Sequence, residues 1–179
     1  MLADAAPPER LGTLSLVGAV ALRRAIVAVT KENVSVTLKW PNDVLIDAAK
    51  VSGILLEARE GGARVVIGCG VNCAHHPGNT AYPATDLASL GLVVPPETLF
   101  AALDNEMNEA LQRWDRGRHF ADIRAEWLAN AHGMGAPATI AAPAGTVNGV
   151  ARSIDMDGRL VMEVAGREMV VAAGDLVPG

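Results

Sequence analysis

The chain has 179 residues, 50% of them hydrophobic and 20% charged, with a formal net charge of −5. That length holds one domain, or one domain and a small appendage, with enough apolar residues for a sizeable core. An acidic chain with three Trp, two Phe and one Tyr excludes a nucleic-acid surface built from basic patches and stacking rings. MLADAAPPER lacks a signal-peptide pattern, and no uninterrupted apolar run approaches the roughly 20 residues that span a bilayer, so the expectation is a soluble cytoplasmic protein.

Pro7 and Pro8 precede RLGTLSLVGAVALRRAIVAV, where Leu14, Val17, Gly18, Ala21, Leu22, Ala25, Ile26 and Val29 recur at three- and four-residue steps. This spacing predicts an amphipathic helix with Arg23 and Arg24 off its apolar stripe. VSVTLKW, VLI, KVSGILLEA and RVVIGCGVN follow, β-branched runs punctuated by Pro41-Asn42-Asp43, Asp47 and Gly61-Gly62. They predict consecutive strands of a meander. Residues 76–96, rich in Pro, Gly, Asn and Thr, read as a long irregular connection, of a length usually found in functional lids or disordered segments. Pro95-Pro96-Glu97 then opens a helix carrying Leu99, Leu103, Met107, Ala110, Leu111 and Trp114, and a further helix over 120–130 carries Ile123, Trp127 and Leu128. After Gly133-Met134-Gly135 come four or five short strands with turns expected at Asn148-Gly149, Asp157-Gly158 and Ala165-Gly166. Such close spacing suggests a small barrel and two domains, 1–134 and 135–179.

Cys69 and Cys73 sit beside His75 and His76. On an extended strand they lie about 13 Å apart, too far for one tetrahedral zinc or a disulfide, and they read as small buried side chains; no metal ligand set is expected.

The chemistry lies in the first strands. Alternation puts Val34, Val36, Leu38 and Trp40 on one face of VSVTLKW and Ser35, Thr37 and Lys39 on the other; Lys50, Ser52, Ile54 and Leu56 share a face of the third run. In the fourth run, Val66, Gly68, Gly70 and Asn72 share a face, a bare backbone strip of the kind that lies under a flat ligand. Taken singly, a strand-end lysine is a solvated edge charge and Asn-Asp after Pro is turn chemistry. Together, Lys39, Lys50, Asp43, Asn42, Asn72 and the glycines suit a ligand with a phosphate and a planar ring. Neither a P-loop nor a Rossmann fingerprint is present to hold a nucleotide.

Lys39-Trp40-Pro41-Asn42-Asp43, Lys50-Val51-Ser52-Gly53-Ile54-Leu55-Leu56-Glu57, Ile67-Gly68-Cys69-Gly70-Val71-Asn72 and Ala84-Thr85-Asp86-Leu87 resemble successive motifs of the biotin protein ligases. The tail, with Asp157-Gly158-Arg159-Leu160 and Ala173-Gly174-Asp175, is similar to that family's small SH3-like C-terminal domain. The resemblance implies an α+β fold, a mixed sheet with helices of the class II synthetase-like biotin/lipoate ligase core, followed by the SH3-like barrel. It implies ATP-dependent formation of biotinyl-5′-AMP, Mg2+ accompanying ATP, and transfer of biotin to a lysine of the biotin carboxyl carrier protein of acetyl-CoA carboxylase.

In that scheme Lys50 neutralises the biotin carboxylate and the adenylate phosphate, Asp43 orients the acceptor lysine, and Lys39, Asn42 and Asn72 line the nucleotide part. Gly53, Ile54, Gly68 and Gly70 complete the biotin and adenylate site. The family's Gly-Arg-rich adenylate loop, biotin-pocket strands and first helix precede the segment where this chain begins. A weak or inactive ligase is therefore expected of the chain alone, with self-association through an exposed sheet edge and no DNA or membrane partner. A lipoate or octanoyl ligase relative, and a non-catalytic interaction module, are the competing expectations.

Overall fold

A computed structural model describes residues 7–31, 34–59, 64–80, 82–142 and 145–178. A short 3-10 stretch, Pro8–Thr13, leads into α1 (Leu14–Thr30). Four strands follow, β1 (Val36–Lys39), β2 (Asp43–Ile46), β3 (Ala49–Arg59) and β4 (Arg64–Val71). They form an antiparallel meander in the order β1-β2-β3-β4, as the alternating runs predict. Among the described residues, no strand pairs with the outer edge of β4. After the irregular connection come α2 (Pro96–Trp114) and α3 (Phe120–Ala129).

Helix α1 lies against the sheet on one side and against α2 and α3 on the other. It is buried well beyond the expected stripe: Leu16, Ala19 and Val20 are enclosed along with Leu14, Val17, Ala21, Leu22, Ala25 and Ile26. Gly18 permits the close approach, since a Cβ there would meet Ile67 Cγ2 at 3.3 Å and Ile54 Cγ2 at 3.4 Å. The 23-residue segment Pro8–Thr30 is long and apolar enough to cross a bilayer by length and composition, although Arg23 and Arg24 interrupt it, and most of its apolar surface is buried in the core.

The second sheet comprises β5 (Pro137–Ala142), β6 (Gly145–Ile154), β7 (Leu160–Val164), β8 (Arg167–Val171) and β9 (Asp175–Pro178), in the order β8-β7-β6-β5-β9. The predicted turns at Asp157-Gly158 and Ala165-Gly166 separate strands, but that at Asn148-Gly149 does not exist. There β6 runs straight through, and Gly149 serves a close approach: a Cβ would stand 2.4 Å from the carbonyl oxygen of Glu163 on β7.

One apolar cluster joins both sheets. Polar ties reinforce it: Trp40 Nε1 donates to Gly158 O at 3.1 Å, Arg124 Nη2 to Ser153 Oγ at 2.9 Å, and Arg10 Nη1 to Met156 O at 2.9 Å. The second sheet is therefore tied to the turn between β1 and β2 through Trp40, to α3 through Arg124 and to the 3-10 stretch before α1 through Arg10. The Trp40–Pro41 peptide in that turn is cis.

Candidate active site

A cleft of about 300 Å³ opens where the β2 and β3 ends meet the irregular connection and the start of β9. Lys39, Asp43, Lys50, Ser52, Gly53, Gly70 and Asn72 line it, with Thr80, Tyr82 and Ala84 from the connection and Asp175 from the second sheet. The strand pairing explains the gathering. Asp43 lies opposite Lys39 on β1 and opposite Gly53 on β3, and Gly53 lies opposite Gly70 on β4.

Asp43, whose side chain is 5% exposed, sits between two cations: Lys39 Nζ is 3.0 Å from Oδ2 and Lys50 Nζ 2.5 Å from Oδ1. The Lys50 contact is an ion pair without an aligned hydrogen bond, and Oδ1 is enclosed with no other hydrogen-bond partner among the described residues. The lysines differ in a way the sequence conceals. Lys39 is 1% exposed, with Asp175 Oδ1 at 2.7 Å and Leu176 O at 3.1 Å in addition to Asp43. An ammonium has three N–H donors, and those three acceptors use them all. The Tyr82 ring covers Lys39 with its centroid 4.9 Å from Nζ, a cation–π placement. Burial by itself draws the Lys39 pKa down, but hydrogen bonding and attraction from Asp175 and Asp43 outweigh it, and the net shift is upward. Lys50, 40% exposed and paired only with Asp43 among the described residues, has donors left for a ligand.

The expected face of β3 is corrected. Lys50 does not share a face with Ile54. The β2–β3 register slips between Val44 and Leu45, giving β3 an extra residue between Lys50 and Ser52. The bulge re-aims the ammonium over Gly53, where a Cβ would meet Nζ at 3.4 Å.

Three of the expected site residues do other work. Ile54 is 2% exposed and packs in the core beneath α1. Asn42 braces the β1–β2 turn, its Nδ2 donating to Ile54 O at 2.7 Å while Ile54 N–H returns a bond of 2.8 Å to Asn42 O. Gly68 lies beyond the cleft, and the bare strip is the cross-strand pair Gly53 and Gly70 rather than Gly68 and Gly70. Asn72 does line the cleft and also fastens its wall: Nδ2 donates to Thr85 O at 3.0 Å, and Leu87 N–H donates to Asn72 O at 3.0 Å.

The rest of the wall is secured at Asp86. Its carboxylate lies 2.6 Å from His76 Nδ1 and accepts from Ser89 N–H at 2.7 Å and Ser89 Oγ at 2.9 Å. The His76 hydrogen bond and then the Ser89 amide, opposed by burial, hold its pKa down at about 2. Asp175 and Tyr82 escaped the analysis of the first strands. The available signal was Lys39 itself, a cation on a sheet interior that needed a counter-charge. Cys69 and Cys73 are both free.

Sequence and structure comparisons give consistent matches. Residues 4–72 match the biotin/lipoate A/B protein ligase family. A biotin–acetyl-CoA-carboxylase ligase of Mycobacterium tuberculosis is 34% identical over 174 residues, covering 96% of this chain and 64% of the relative. One from Paracoccus denitrificans is 36% identical over 175 residues, covering 89% and 70%. The chain thus spans somewhat under two thirds of the first relative's length. A biotin protein ligase from Aquifex aeolicus, solved with biotin and ATP, superposes with a TM-score of 0.81 at 20% identity over 94% of this chain and 71% of that one, the same fold.

Proposed function

As the chain belongs to the biotin protein ligases of the biotin/lipoate A/B protein ligase family, we propose that its cleft binds biotinyl-5′-AMP and serves both half-reactions of ATP-dependent protein biotinylation. In the first, a biotin carboxylate oxygen attacks the α-phosphorus of ATP, an anhydride P–O bond forms, and pyrophosphate leaves. In the second, the amine of a carrier-protein lysine attacks the acyl carbon, an amide forms, AMP leaves with the bonding pair, and the surplus protons pass to solvent. The observation that carries the reading is Lys50, a half-exposed ammonium fixed 2.5 Å from Asp43 above a floor without side chains.

Each role follows from local chemistry. Lys50 supplies positive charge where a carboxylate and a phosphate must be brought together, and holding that charge in place beforehand is the usual source of electrostatic rate enhancement. Gly53 and Gly70 let the acyl-adenylate lie against backbone. Asp43, held between Lys39 and Lys50, orients the incoming amine. Tyr82 and the wall secured by Asp86 limit access of water to the anhydride. Mg2+ does not fit as a protein-held ion: among the described residues no three His, Cys, Asp or Glu side chains group for a metal, and both cleft carboxylates are paired with lysines. Any such ion would travel with the ATP phosphates.

The proposed partner is the carboxyl carrier of a carboxylase, met in the cytoplasm. The second sheet, within 135–179, is the small C-terminal domain, and the outer edge of β4, unpaired among the described residues, is the site of self-association.

Thermal unfolding with added ligand tests the reading. Biotinyl-5′-AMP at about 100 times its Kd should stabilise the chain by about 2.7 kcal/mol, a rise of roughly 5–11 °C for this size. Lipoyl-5′-AMP should do less. An absent shift, or a larger one with lipoyl-5′-AMP, overturns the assignment to biotin.

A further inference from the structure

The acceptor in the second half-reaction is a lysine, a cation in water, and the cleft already holds the ammonium groups of Lys39 and Lys50. Two like charges facing an entering third oppose its approach unless a counter-charge stands at the mouth. Asp43 is not placed for that duty: its side chain is 5% exposed and lies between both lysines. The other cleft carboxylate, Asp175, is 64% exposed.

Resting on the ligase reading above, we infer that Asp175, delivered by the second sheet, is the entry carboxylate that receives the acceptor amine and hands it on to Asp43. One oxygen, Oδ1, is held by Lys39 Nζ at 2.7 Å. Among the described residues no hydrogen bond or ion pair falls on Oδ2. The side chain is therefore fixed in direction while half of its acceptor capacity faces solvent. Lys39 bridges the two carboxylates, 2.7 Å from Asp175 and 3.0 Å from Asp43, so a guest ammonium leaving one finds the other beside the same cation.

The backbone is built for this delivery. Gly174 has φ +150°, and a Cβ there would stand 2.7 Å from Ile140 Cγ2 and 2.9 Å from Ala141 O. That contact draws the start of β9 against β5 and sets Asp175 at the rim. The carboxylate would thus select for a cationic acceptor, a property that neither Lys50 nor the glycine floor can supply.

The test uses the full chain loaded with the unreactive biotinyl sulfamoyl adenosine. Its affinity for the biotinyl domain of an acetyl-CoA carboxylase carrier is measured for wild type, Asp175→Asn and Asp175→Glu. Asn keeps a carbonyl acceptor for Lys39 and removes the charge. The expected result is a roughly fivefold weaker carrier Kd for Asp175→Asn, the upper range for an exposed ion pair, recovered in Asp175→Glu and abolished at high salt. Affinity for the sulfamoyl adenosine should stay within about twofold. Failure of wild type to bind the adenosine analogue defeats the ligase reading itself. Analogue binding without carrier binding, an unchanged carrier Kd in Asp175→Asn, or a loss confined to analogue affinity, overturns the entry role alone and leaves Asp175 a brace for Lys39.

Discussion

Replacing each cleft lysine by methionine separates a structural cation from a ligand-binding one. Lys39→Met keeps most of the side-chain volume but leaves Asp43, 5% exposed, with one cation, and frees Asp175 and the Leu176 carbonyl of their donor. Breaking a buried pair costs about 3–5 kcal/mol. Asp43 retains Lys50, and Asp175 is 64% exposed, so the expectation falls to about 2–3 kcal/mol, or roughly 4–12 °C in Tm. Lys50→Met removes a 40%-exposed partner, worth no more than about 1 kcal/mol to stability. Binding should invert the order. Lys50→Met loses a charge-assisted contact to phosphate worth about 1.5–3 kcal/mol, roughly a 10- to 150-fold weaker Kd for biotinyl-5′-AMP. Lys39→Met should weaken it far less, because its three donors are already bound to protein. Urea denaturation and calorimetric titration of the two variants decide the matter. If Lys39→Met is as stable as wild type while its adenylate affinity collapses, Lys39 is a ligand-binding residue and the assignment made from its three acceptors is wrong.

Further outcomes follow from single contacts. Gly53→Ala places a Cβ 3.4 Å from Lys50 Nζ; the flexible side chain can move, so denaturation should change by less than about 0.5 kcal/mol while adenylate affinity drops roughly tenfold as the ammonium is displaced. Gly174→Ala, at φ +150° with its Cβ 2.9 Å from Ala141 O, should destabilise the chain by about 1–3 kcal/mol, read by the same denaturation. For Asp86 the folded pKa of about 2 lies below the ordinary aspartate range, so its contribution is complete above about pH 4 and is lost as pH falls below that toward 2. The stability gap between wild type and Asp86→Asn should accordingly be flat from pH 6 to 4 and close below it; a gap that widens on acidification contradicts the assigned staple.

The strands of the first sheet were legible because β-branched runs between turn residues have few alternatives, and KWPND with the following lysine marked the cleft from sequence alone. Three features were not. The bulge that turns Lys50 over Gly53 depends on a two-against-one register between β2 and β3, which no alternation pattern within β3 reveals. Asn148-Gly149 carries a hairpin signature, yet the same glycine is needed where β6 passes under the Glu163 carbonyl; close packing and turn formation ask for the same residue. Asp175 meets Lys39 across 136 residues of chain, and such a pairing is set by how the second sheet seats on Trp40 and α1, not by local preference. Helix α1 shows the same limit: its apolar stripe was visible, but the added burial of Leu16 comes from the Gly158 turn, where a Cβ would lie 3.0 Å from Leu16 Cδ1.

The most direct test of the account is a crystal structure of the chain with biotinyl-5′-AMP. The adenylate phosphate should lie within hydrogen-bond reach of Lys50 Nζ, the acyl chain should cross Gly53 and Gly70, and Lys39 should keep its bonds to Asp43 and Asp175. An adenylate bound elsewhere, or one whose phosphate is held by Lys39 with Lys50 turned to solvent, would contradict it.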